Sequence, residues 1–367
     1  MVTIVGGGFA GRIAAVRLRR RGLDVTLVDA RAASVERTRL HEAAARGRDV
    51  EAPLDVFADG IGARFVQGRA ARVDDGALHL ADGRAVPFDQ LIVATGSVPD
   101  DGRGVPGARE HAVALGGPED AARIRDRVAA GEDAIVVGAG LTGLELATEL
   151  AEAWPDRRVT LVGRLEAWSP RAEQIVRQSL ADLGVVHVEA EVTAVDAAGA
   201  QTAQGRLDGP LVAWTAGMRP SPWLADSGLP LDDRGRVRVT PTLQVEGHPT
   251  VLAAGDCAGT ALRMACATAM PMGCHAAAGA VALAGGREPE PLHFGYAARC
   301  VSLGRRHAVM QGTDRADAPT WAVGGWAAVQ LKEGILWSVT RVLGWEASGL
   351  PLYAWVGGPL AVPPGVA

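Results

Sequence analysis

The first 256 residues of the chain contain no cysteine. The four cysteines that follow, Cys257, Cys266, Cys274 and Cys300, have spacings that match neither a CxxC redox pair nor a zinc knuckle. We therefore expect reduced, buried thiols at these positions rather than redox disulfides or metal ligands.

Long apolar runs are missing as well. No stretch of about 18 uninterrupted apolar residues occurs, so on length grounds we expect no transmembrane helix. Residues 2–5 already have the pattern of a strand, which leaves no room for a charged leader followed by an apolar segment. We expect a cytoplasmic protein, and peripheral contact with a membrane stays open.

No excess of one charge marks the chain either. Its net charge is -5, from 37 basic and 42 acidic residues, so it lacks the basic surface that a nucleic-acid binder needs. With 48% hydrophobic residues the composition is that of an ordinary globular protein. A length of 367 residues predicts two or three domains.

The N-terminus carries a nucleotide-binding pattern. A short apolar strand runs into Gly6-Gly7-Gly8-Phe9-Ala10-Gly11, and a helical pattern follows. Gly6 allows a tight turn, Gly8 allows backbone to approach a pyrophosphate, and Gly11 allows helix and strand to pack closely. The amides of Phe9, Ala10 and Gly11 would then face the phosphates at the positive end of the helix dipole.

A second strand, residues 24–29, ends in Asp29. A carboxylate at this position accepts hydrogen bonds from the hydroxyls of an adenosine ribose. The strand, glycine loop, helix and acid in this register predict a dinucleotide site.

A second copy of the pattern follows a strand at residues 134–137. It reads Gly138-Ala139-Gly140-Leu141-Thr142-Gly143 and leads into a helix. Its next strand ends in Gly163-Arg164, so an arginine stands beside the place where the first copy has its acid. Because arginine binds a 2′-phosphate through charge-assisted hydrogen bonds, Arg164 favours NADPH over NADH. The alternative is a solvated Arg164 in a site that binds NADH.

Two further turns complete a set of four motifs. Ala94-Thr95-Gly96 follows one apolar strand, and Gly255-Asp256 follows another. Together with the glycine loops, they resemble those of the pyridine-nucleotide-dependent flavoprotein reductases, which have a glutathione-reductase-like two-domain architecture. The resemblance is greatest to the type II NADH dehydrogenase-like branch and covers roughly residues 1–290.

The resemblance implies an α/β fold with two Rossmann-like dinucleotide-binding domains, for FAD and for NADPH or NADH, and a small C-terminal lobe. It assigns FAD binding to the first glycine loop, Asp29, the turn at residues 94–96, Gly255 and Asp256. It assigns the nicotinamide nucleotide to the second loop and to Gly217 in a small-residue turn. Glu145 matches the family's Gly-x-Glu acid near the nicotinamide, and its alternative role is to pair with a backbone group or an arginine.

The segment that contains Arg39 and His41 returns toward the flavin in this family. We therefore predict Arg39 as a cofactor contact and His41, with Glu145, as a catalytic residue. A solvated helix face is the competing explanation for this charged segment.

The sequence departs from the family in three respects. No cysteine pair lies near the first helix, which argues against thiol-disulfide exchange. The paired glutamines of the quinone site in type II NADH dehydrogenases are absent from residues 266–273. After Trp337 the only basic residue is Arg341, so the basic amphipathic helix of the membrane-bound members is missing too.

Five of the nine tryptophans lie in the last 47 residues, namely Trp321, Trp326, Trp337, Trp345 and Trp355. The simplest interpretation is that they pack this segment onto the flavin domain. A homodimer contact, a membrane-interface belt and a substrate-pocket wall are the alternatives.

We predict a discontinuous FAD domain of residues 1–108 and 242–290, an NAD(P)H domain of residues 109–241 and a C-terminal lobe of residues 291–367. The predicted function is transfer of a hydride from NAD(P)H to flavin N5 and onward to a quinone-like or other small acceptor. A reductase for a protein electron carrier and a non-catalytic redox-sensing flavoprotein are the alternatives.

Overall fold

The computed structural model describes residues 1–350 and 352–362. Residues 351 and 363–367 of the predicted C-terminal lobe lie outside the described residues. The helices are α1 (Phe9–Arg20), α2 (Leu40–Arg46), α3 (Leu54–Gly60), α4 (Ala108–His111), α5 (Pro118–Ala129), α6 (Leu141–Ala153), α7 (Pro170–Asp182), α8 (Cys266–Ala284) and α9 (Gly325–Ala347). Short 3-10 turns span Arg37–Arg39 and Pro222–Asp226.

The strands of the first half of the chain are β1 (Val2–Val5), β2 (Val25–Asp29), β3 (Ala33–Val35), β4 (Glu51–Pro53), β5 (Arg64–Gln67), β6 (Ala70–Asp74), β7 (Ala77–Leu80), β8 (Ala85–Pro87), β9 (Gln90–Val93), β10 (Ser97–Pro99), β11 (Ala112–Ala114), β12 (Ala134–Val137) and β13 (Val159–Val162). Those of the second half are β14 (Val186–Val188), β15 (Val192–Asp196), β16 (Gly199–Thr202), β17 (Gly205–Asp208), β18 (Leu211–Trp214), β19 (Met218–Pro220), β20 (Gln244–Val245), β21 (His248–Ala253), β22 (Ala298–Leu303), β23 (His307–Thr313) and β24 (Pro319–Gly324).

A six-stranded sheet with the order β20-β21-β9-β1-β2-β5 organises the first nucleotide-binding unit. Strands β21, β9, β1, β2 and β5 run parallel, and every residue of β1 and β9 is buried. Continuous apolar strands of this kind are typical of a sheet that is covered on both faces. Strands β20 and β21 come from a distant part of the chain, so the sheet is built from two separate segments.

Helices α1 and α8 pack closely against each other beside this sheet. A Cβ at Gly273 of α8 would lie 2.3 Å from the Ala10 carbonyl oxygen, so only glycine allows this approach. The 19-residue helix α8 has the length and mean hydropathy, 1.3, of a membrane-spanning helix, although no uninterrupted apolar run marks it in the sequence. Since 67% of its most apolar window is buried inside the protein, α8 has the character of a core helix.

A five-stranded parallel sheet, β11-β18-β12-β13-β14, organises the second unit. Helices α5, α6 and α7 contribute apolar residues to the core that this sheet shares with α2 and β22. One fully parallel sheet and one sheet that is parallel except for β20, each with flanking helices, are followed by an antiparallel sheet β22-β23-β24 and α9. This arrangement confirms the predicted fold class. The domain boundaries stay a prediction.

The C-terminal tryptophans fall into two groups. Trp345 and Trp355 are partly buried in a cluster with Phe9 and Ile13 of α1, as the packing interpretation predicts. Trp321, Trp326 and Trp337 are exposed instead, with 54%, 76% and 51% of their surface accessible. Packing onto α1 therefore accounts for only part of this tryptophan-rich segment.

Candidate active site

The first glycine loop joins β1 to α1 and is open at one glycine. A Cβ at Gly6, where φ is +110°, would lie 2.2 Å from the carbonyl oxygen of Ala94. A Cβ at Gly11 would lie 1.8 Å from the carbonyl oxygen of Gly6, so both positions require glycine. At Gly8 an added Cβ would have nothing within 4 Å. The loop is thus packed on its inner side and open where a pyrophosphate would approach α1, which begins at Phe9.

Asp29, at the end of β2, lies beside this opening. Its carboxylate accepts hydrogen bonds from the amides of Gly7 at 2.6 Å and Arg31 at 2.8 Å. A cavity of about 390 Å³ is lined by Asp29, Gly6 and Thr95, and also by residues 68–70 and 221–223, which the sequence analysis missed. This volume suits a ligand of the size of an adenosine. The open glycine, the acid and the cavity together fit the adenosine half of FAD.

The two remaining FAD motifs come together because β9 and β21 are parallel neighbours. Ser97, directly after the predicted turn of residues 94–96, donates its hydroxyl to the Asp256 carboxylate at 2.6 Å. Arg37 donates to the Ser97 carbonyl oxygen at 2.5 Å. Burial lowers the pKa of Arg37, and the Asp256 carboxylate partly opposes this effect. Arg37 is a site residue that the sequence pattern did not single out.

A second cation of the flavin-binding unit, Arg12, directly follows the first glycine loop. Burial lowers its pKa to about 10, although Glu36 acts in the opposite direction. Its Nε atom is buried and has no hydrogen-bond partner within residues 1–350 and 352–362. Arg12 therefore has a buried nitrogen beside the first glycine loop that is available for a phosphate.

The four cysteines are free thiols, as their spacing predicts, and Cys257 and Cys274 are buried, whereas Cys266 and Cys300 are only partly buried. Burial raises the pKa of Cys257 and Cys266 to about 11 and that of Cys274 to about 12. The pKa of Cys300 is raised for the same reason. All four are therefore protonated at neutral pH and are poor nucleophiles.

The second glycine loop repeats the geometry of the first. A Cβ at Gly138 would lie 2.7 Å from the Ala216 amide, and one at Gly143 would lie 1.7 Å from the Gly138 carbonyl oxygen. The Thr215 hydroxyl donates to the Val137 carbonyl oxygen at 2.8 Å, which ties the turn before Gly217 to the loop. The predicted residues Leu141 and Thr142 begin α6 beside Gly140. Arg164 is exposed, and within the described ranges its side chain makes no hydrogen bond or ion pair.

Both predicted catalytic residues belong to one buried cluster. Glu145 of α6 forms an ion pair with Lys332 of α9 and accepts a hydrogen bond from the Ser302 amide at 3.1 Å. The Nδ1 atom of His41 lies 3.5 Å from the other Glu145 oxygen. The side chains of Glu145, Lys332 and His41 are 12%, 7% and 4% exposed. The cluster thus joins the second nucleotide-binding unit, the C-terminal lobe and the segment around α2.

Lys332 is the only lysine in a chain of 37 basic residues. Every other cationic side chain except histidine is an arginine, which does not release its proton in proteins. A buried lysine, by contrast, can both hold and release a proton. The single lysine is the sequence signal that could have identified this residue.

The opposite charges of Lys332 and Glu145 offset the cost of burying each of them. Burial alone would raise the pKa of Glu145, but Lys332 and His41 outweigh it and hold that pKa below its ordinary value of 4.5. Burial would lower the pKa of Lys332, but Glu145 outweighs it and holds that pKa above 10.5. Burial lowers the pKa of His41, which is therefore neutral at physiological pH. The cluster holds an ammonium, a carboxylate and a neutral imidazole.

Arg39 lies in an ion-pair network next to this cluster. Its guanidinium contacts Glu36 at 3.2 Å, Glu42 at 2.5 Å and Glu333 of α9 at 2.8 Å. Neither a solvated helix face nor an isolated surface charge describes a side chain that is 5% exposed. These three carboxylates account for the position of Arg39, and its contact with a cofactor stays a prediction.

A family model described as pyridine nucleotide-disulphide oxidoreductase matches residues 1–280. An NADH dehydrogenase-like protein of Mycobacterium tuberculosis is 29% identical over 323 residues, which cover 75% of this chain and 78% of that protein. Ferroptosis suppressor protein 1 of Xenopus tropicalis is 30% identical over 291 residues, covering 70% and 74%. The demethylphylloquinone reductase NdbB of Synechocystis is 28% identical over 291 residues, covering 70% and 71%.

Solved structures share the fold over almost the whole chain. The sulfide:quinone oxidoreductase of Aquifex aeolicus superposes with a TM-score of 0.81 at 16% identity, covering 96% of this chain and 92% of that one. The NDH2 of Plasmodium falciparum, solved in complex with NADH, superposes with a TM-score of 0.78 at 13% identity, covering 97% and 99%. At sequence identities this low, the likeness shows the fold alone.

Proposed function

Because the chain belongs to the pyridine nucleotide-disulphide oxidoreductase family, we propose that this FAD-dependent NAD(P)H oxidoreductase delivers its electrons to a quinone at a membrane surface. Bound FAD supplies the hydride-accepting and electron-donating chemistry. The chain's own residues bind and orient the two nucleotides and provide a proton. A demethylphylloquinone reductase among the relatives supports a quinone acceptor.

Helix α9 carries this proposal, because its two sides have opposite characters. One side buries Lys332, which reaches Glu145, together with Leu336. The exposed side, which we call the α9 outer face, carries Trp326, Leu331, Ile335 and Trp337, with exposures of 76%, 49%, 41% and 51%, among small and polar residues such as Gln330 and Arg341. A single helix therefore lies between the buried ion pair and an exposed apolar surface.

The α9 outer face has the composition of a membrane-contacting surface. Tryptophan is enriched where a lipid headgroup region meets the hydrocarbon, and exposed apolar patches mark interaction sites. The acid on this part of the helix, Glu333, is paired with Arg39 and Arg305 on the protein side. Arg341 lies over the Trp337 ring at 4.7 Å, next to the apolar residues. A lipid-soluble quinone would meet the protein here.

The buried cluster matches the proton requirement of quinone reduction. NAD(P)H supplies two electrons and one proton, so forming a quinol takes up one further proton. We propose that the Lys332 ammonium delivers this proton and that Glu145 and His41 hold Lys332 in position. The proton is then replaced from solvent.

A comparison of two acceptors tests the membrane proposal. We expect Trp326→Ser/Trp337→Ser to lower NADH-dependent reduction of a long-chain quinone in lipid vesicles at least about tenfold, since burying one such side chain contributes about 2 kcal/mol. Reduction of a short-chain, water-soluble quinone should stay unchanged. Trp321→Ser is the matched control, because Trp321 is exposed but lies on β24.

Equal rates for the double variant and the wild type on vesicle-bound quinone would contradict the membrane proposal. Faster reduction of a protein electron carrier than of either quinone would favour the alternative reductase function.

A further inference from the structure

We propose that Arg12 binds the pyrophosphate of FAD and makes FAD a resident cofactor, whereas the second nucleotide site has a leucine at the same position and releases its nucleotide after each turnover. This role of Arg12 rests on the NAD(P)H oxidation of the proposed function and is independent of the electron acceptor. Two glycine loops with the same geometry thereby hold their ligands for different times.

The two copies of the glycine loop differ in charge at the residue that directly follows them. Residues 6–11 are followed by Arg12, and residues 138–143 are followed by Leu144. Leu144 is fully buried in the apolar core of the second unit. A helix that begins at such a loop therefore accepts an apolar residue at this position. The arginine of the first copy needs a reason other than packing.

The side chain of Arg12 lies on the side of α1 that leads to the open glycine of the loop. The Arg12 amide donates to the Gly8 carbonyl oxygen at 3.0 Å, so Gly8 is one helical turn earlier. A side chain in a helix leans toward the helix N-terminus and covers the residue about four positions before it. The guanidinium carbon of Arg12 lies 5.6 Å from the centre of the Phe9 ring, in the first turn, as this direction requires. Arg12 therefore points toward Gly8, where an added Cβ would have nothing within 4 Å.

Two aromatic rings hold the guanidinium of Arg12 in this place. The ring centres of Phe9 and of Phe57 in α3 lie 5.6 Å and 5.9 Å from its central carbon, within the range of cation–π contacts. Its Nε atom is buried and has no hydrogen-bond partner in the part of the chain that the structure describes, while part of the residue stays accessible to a ligand. Burial lowers the pKa of Arg12 to about 10 and Glu36 opposes this effect, so the group is charged at neutral pH. A positioned cation with a free donor thus lies beside the loop.

The central glycines of the two loops have side chains of opposite charge near them. Gly8 has Arg12 one turn away, whereas Glu166 Oε1 lies 3.3 Å from the position that a Cβ would occupy on Gly140. The N-terminus of a helix contributes about half an elementary charge to a bound pyrophosphate. In the first loop Arg12 adds a full charge and planar N–H donors that match phosphate oxygens. In the second loop a carboxylate has to move aside, which weakens the binding of the nucleotide.

This difference suits the different roles of the two ligands. FAD accepts and donates electrons while it stays bound, so slow release keeps the enzyme loaded. The nicotinamide nucleotide has to leave after each hydride transfer, and slow release of a product limits turnover. One charge-assisted hydrogen bond changes an affinity about 10- to 100-fold, and most of such a change appears in the rate of release. We therefore expect Arg12 to slow the release of FAD at least about tenfold.

Release of FAD from the loaded protein tests this role without any redox step. The rise in flavin fluorescence after dilution gives the rate of release, and titration of the FAD-free protein gives the Kd. Arg12→Leu should raise both at least about tenfold, and Arg12→Lys, which keeps the charge, should lie between Arg12→Leu and the wild type. Added salt should weaken FAD binding more in the wild type than in Arg12→Leu, since salt screens the contact between guanidinium and phosphate. ADP-ribose, a probe of the second site, should bind all FAD-saturated variants with the same Kd.

Arg21→Leu is the matched control, since Arg21 is an exposed arginine at the C-terminal end of α1, and it should leave the release of FAD unchanged. Release from Arg12→Leu at the wild-type rate would overturn the proposal. Equal losses in Arg12→Leu and Arg12→Lys, with the salt dependence of the wild type, would also overturn it, because Arg12 would then only pack against Phe9 and Phe57. Failure of the proposed function would show separately, as a bound flavin that neither NADH nor NADPH reduces.

Discussion

Replacing Gly8 with alanine should give a folded protein that no longer retains FAD. Gly8 has φ −74° and ψ −165°, which alanine adopts without strain, and an added Cβ has nothing within 4 Å. The methyl group would occupy the space through which a pyrophosphate reaches the amides of Phe9, Ala10 and Gly11. Losing two charged hydrogen bonds of about 1.5 to 3 kcal/mol each predicts at least about 100-fold weaker binding.

The matched control for this variant is Gly60→Ala. Gly60 ends α3, and an added Cβ there also has nothing within 4 Å, but it lies outside both nucleotide sites. The ratio of flavin to protein absorbance after gel filtration, together with the circular dichroism spectrum, separates cofactor loss from misfolding. Full retention of FAD by Gly8→Ala would contradict the assignment of this loop to the pyrophosphate.

Replacing Lys332 with methionine or arginine should stop electron delivery to a quinone without preventing reduction of the flavin by NADH. Methionine has no proton to donate and arginine holds its proton more tightly than lysine. Loss of a positioned proton donor costs about 100-fold or more in rate. Stopped-flow measurement of each half-reaction checks this expectation. A Lys332→Arg variant that oxidises at the wild-type rate would show that charge alone is required.

The pH dependence of the free energy of unfolding provides a second test of the ion pair between Lys332 and Glu145. The pKa of Glu145 is lowered and that of Lys332 is raised, so the ion pair contributes fully above the ordinary glutamate value of 4.5 and below the ordinary lysine value of 10.5. The contribution is lost as pH falls through the lowered pKa of Glu145 or rises through the raised pKa of Lys332. Between these pH limits the contribution of the ion pair to the stability of the wild type should not change with pH.

In Lys332→Met, Glu145 is left buried without this counter-charge, and its pKa should rise. The folded state then binds the proton more tightly than the unfolded state, so stability should fall as pH rises above 4.5. Breaking a buried pair costs about 3 to 5 kcal/mol. In the double variant Lys332→Met/Glu145→Gln, stability should no longer fall as pH rises. Thermal unfolding at several pH values checks this expectation.

The sequence predicted those parts of the fold that depend on local spacing. The strand, glycine loop and helix of each copy lie next to one another in the chain, and steric contacts at Gly6 and Gly138 leave little freedom in residue type. Asp29 and Asp256 were also identifiable, because each directly follows a buried strand. The comparisons confirm the family, the fold class and the two cofactors that these motifs predicted.

The remaining site residues depend on contacts between distant segments. Arg37 meets Ser97 only because two strands and a 3-10 turn converge. Lys332 lies on a helix whose apolar outer face gives no local sign of a buried ion pair with Glu145. No spacing rule connects these residues, so the sequence pattern alone could not assemble them.

Mixing the FAD-loaded protein with NADH in the absence of oxygen tests the central claim most directly. We expect the visible absorbance of the flavin to fall in the stopped-flow record and to return when quinone is added. NADPH is compared with NADH under the same conditions. Absence of bleaching with both nucleotides would contradict hydride transfer from NAD(P)H and with it the proposed oxidoreductase function.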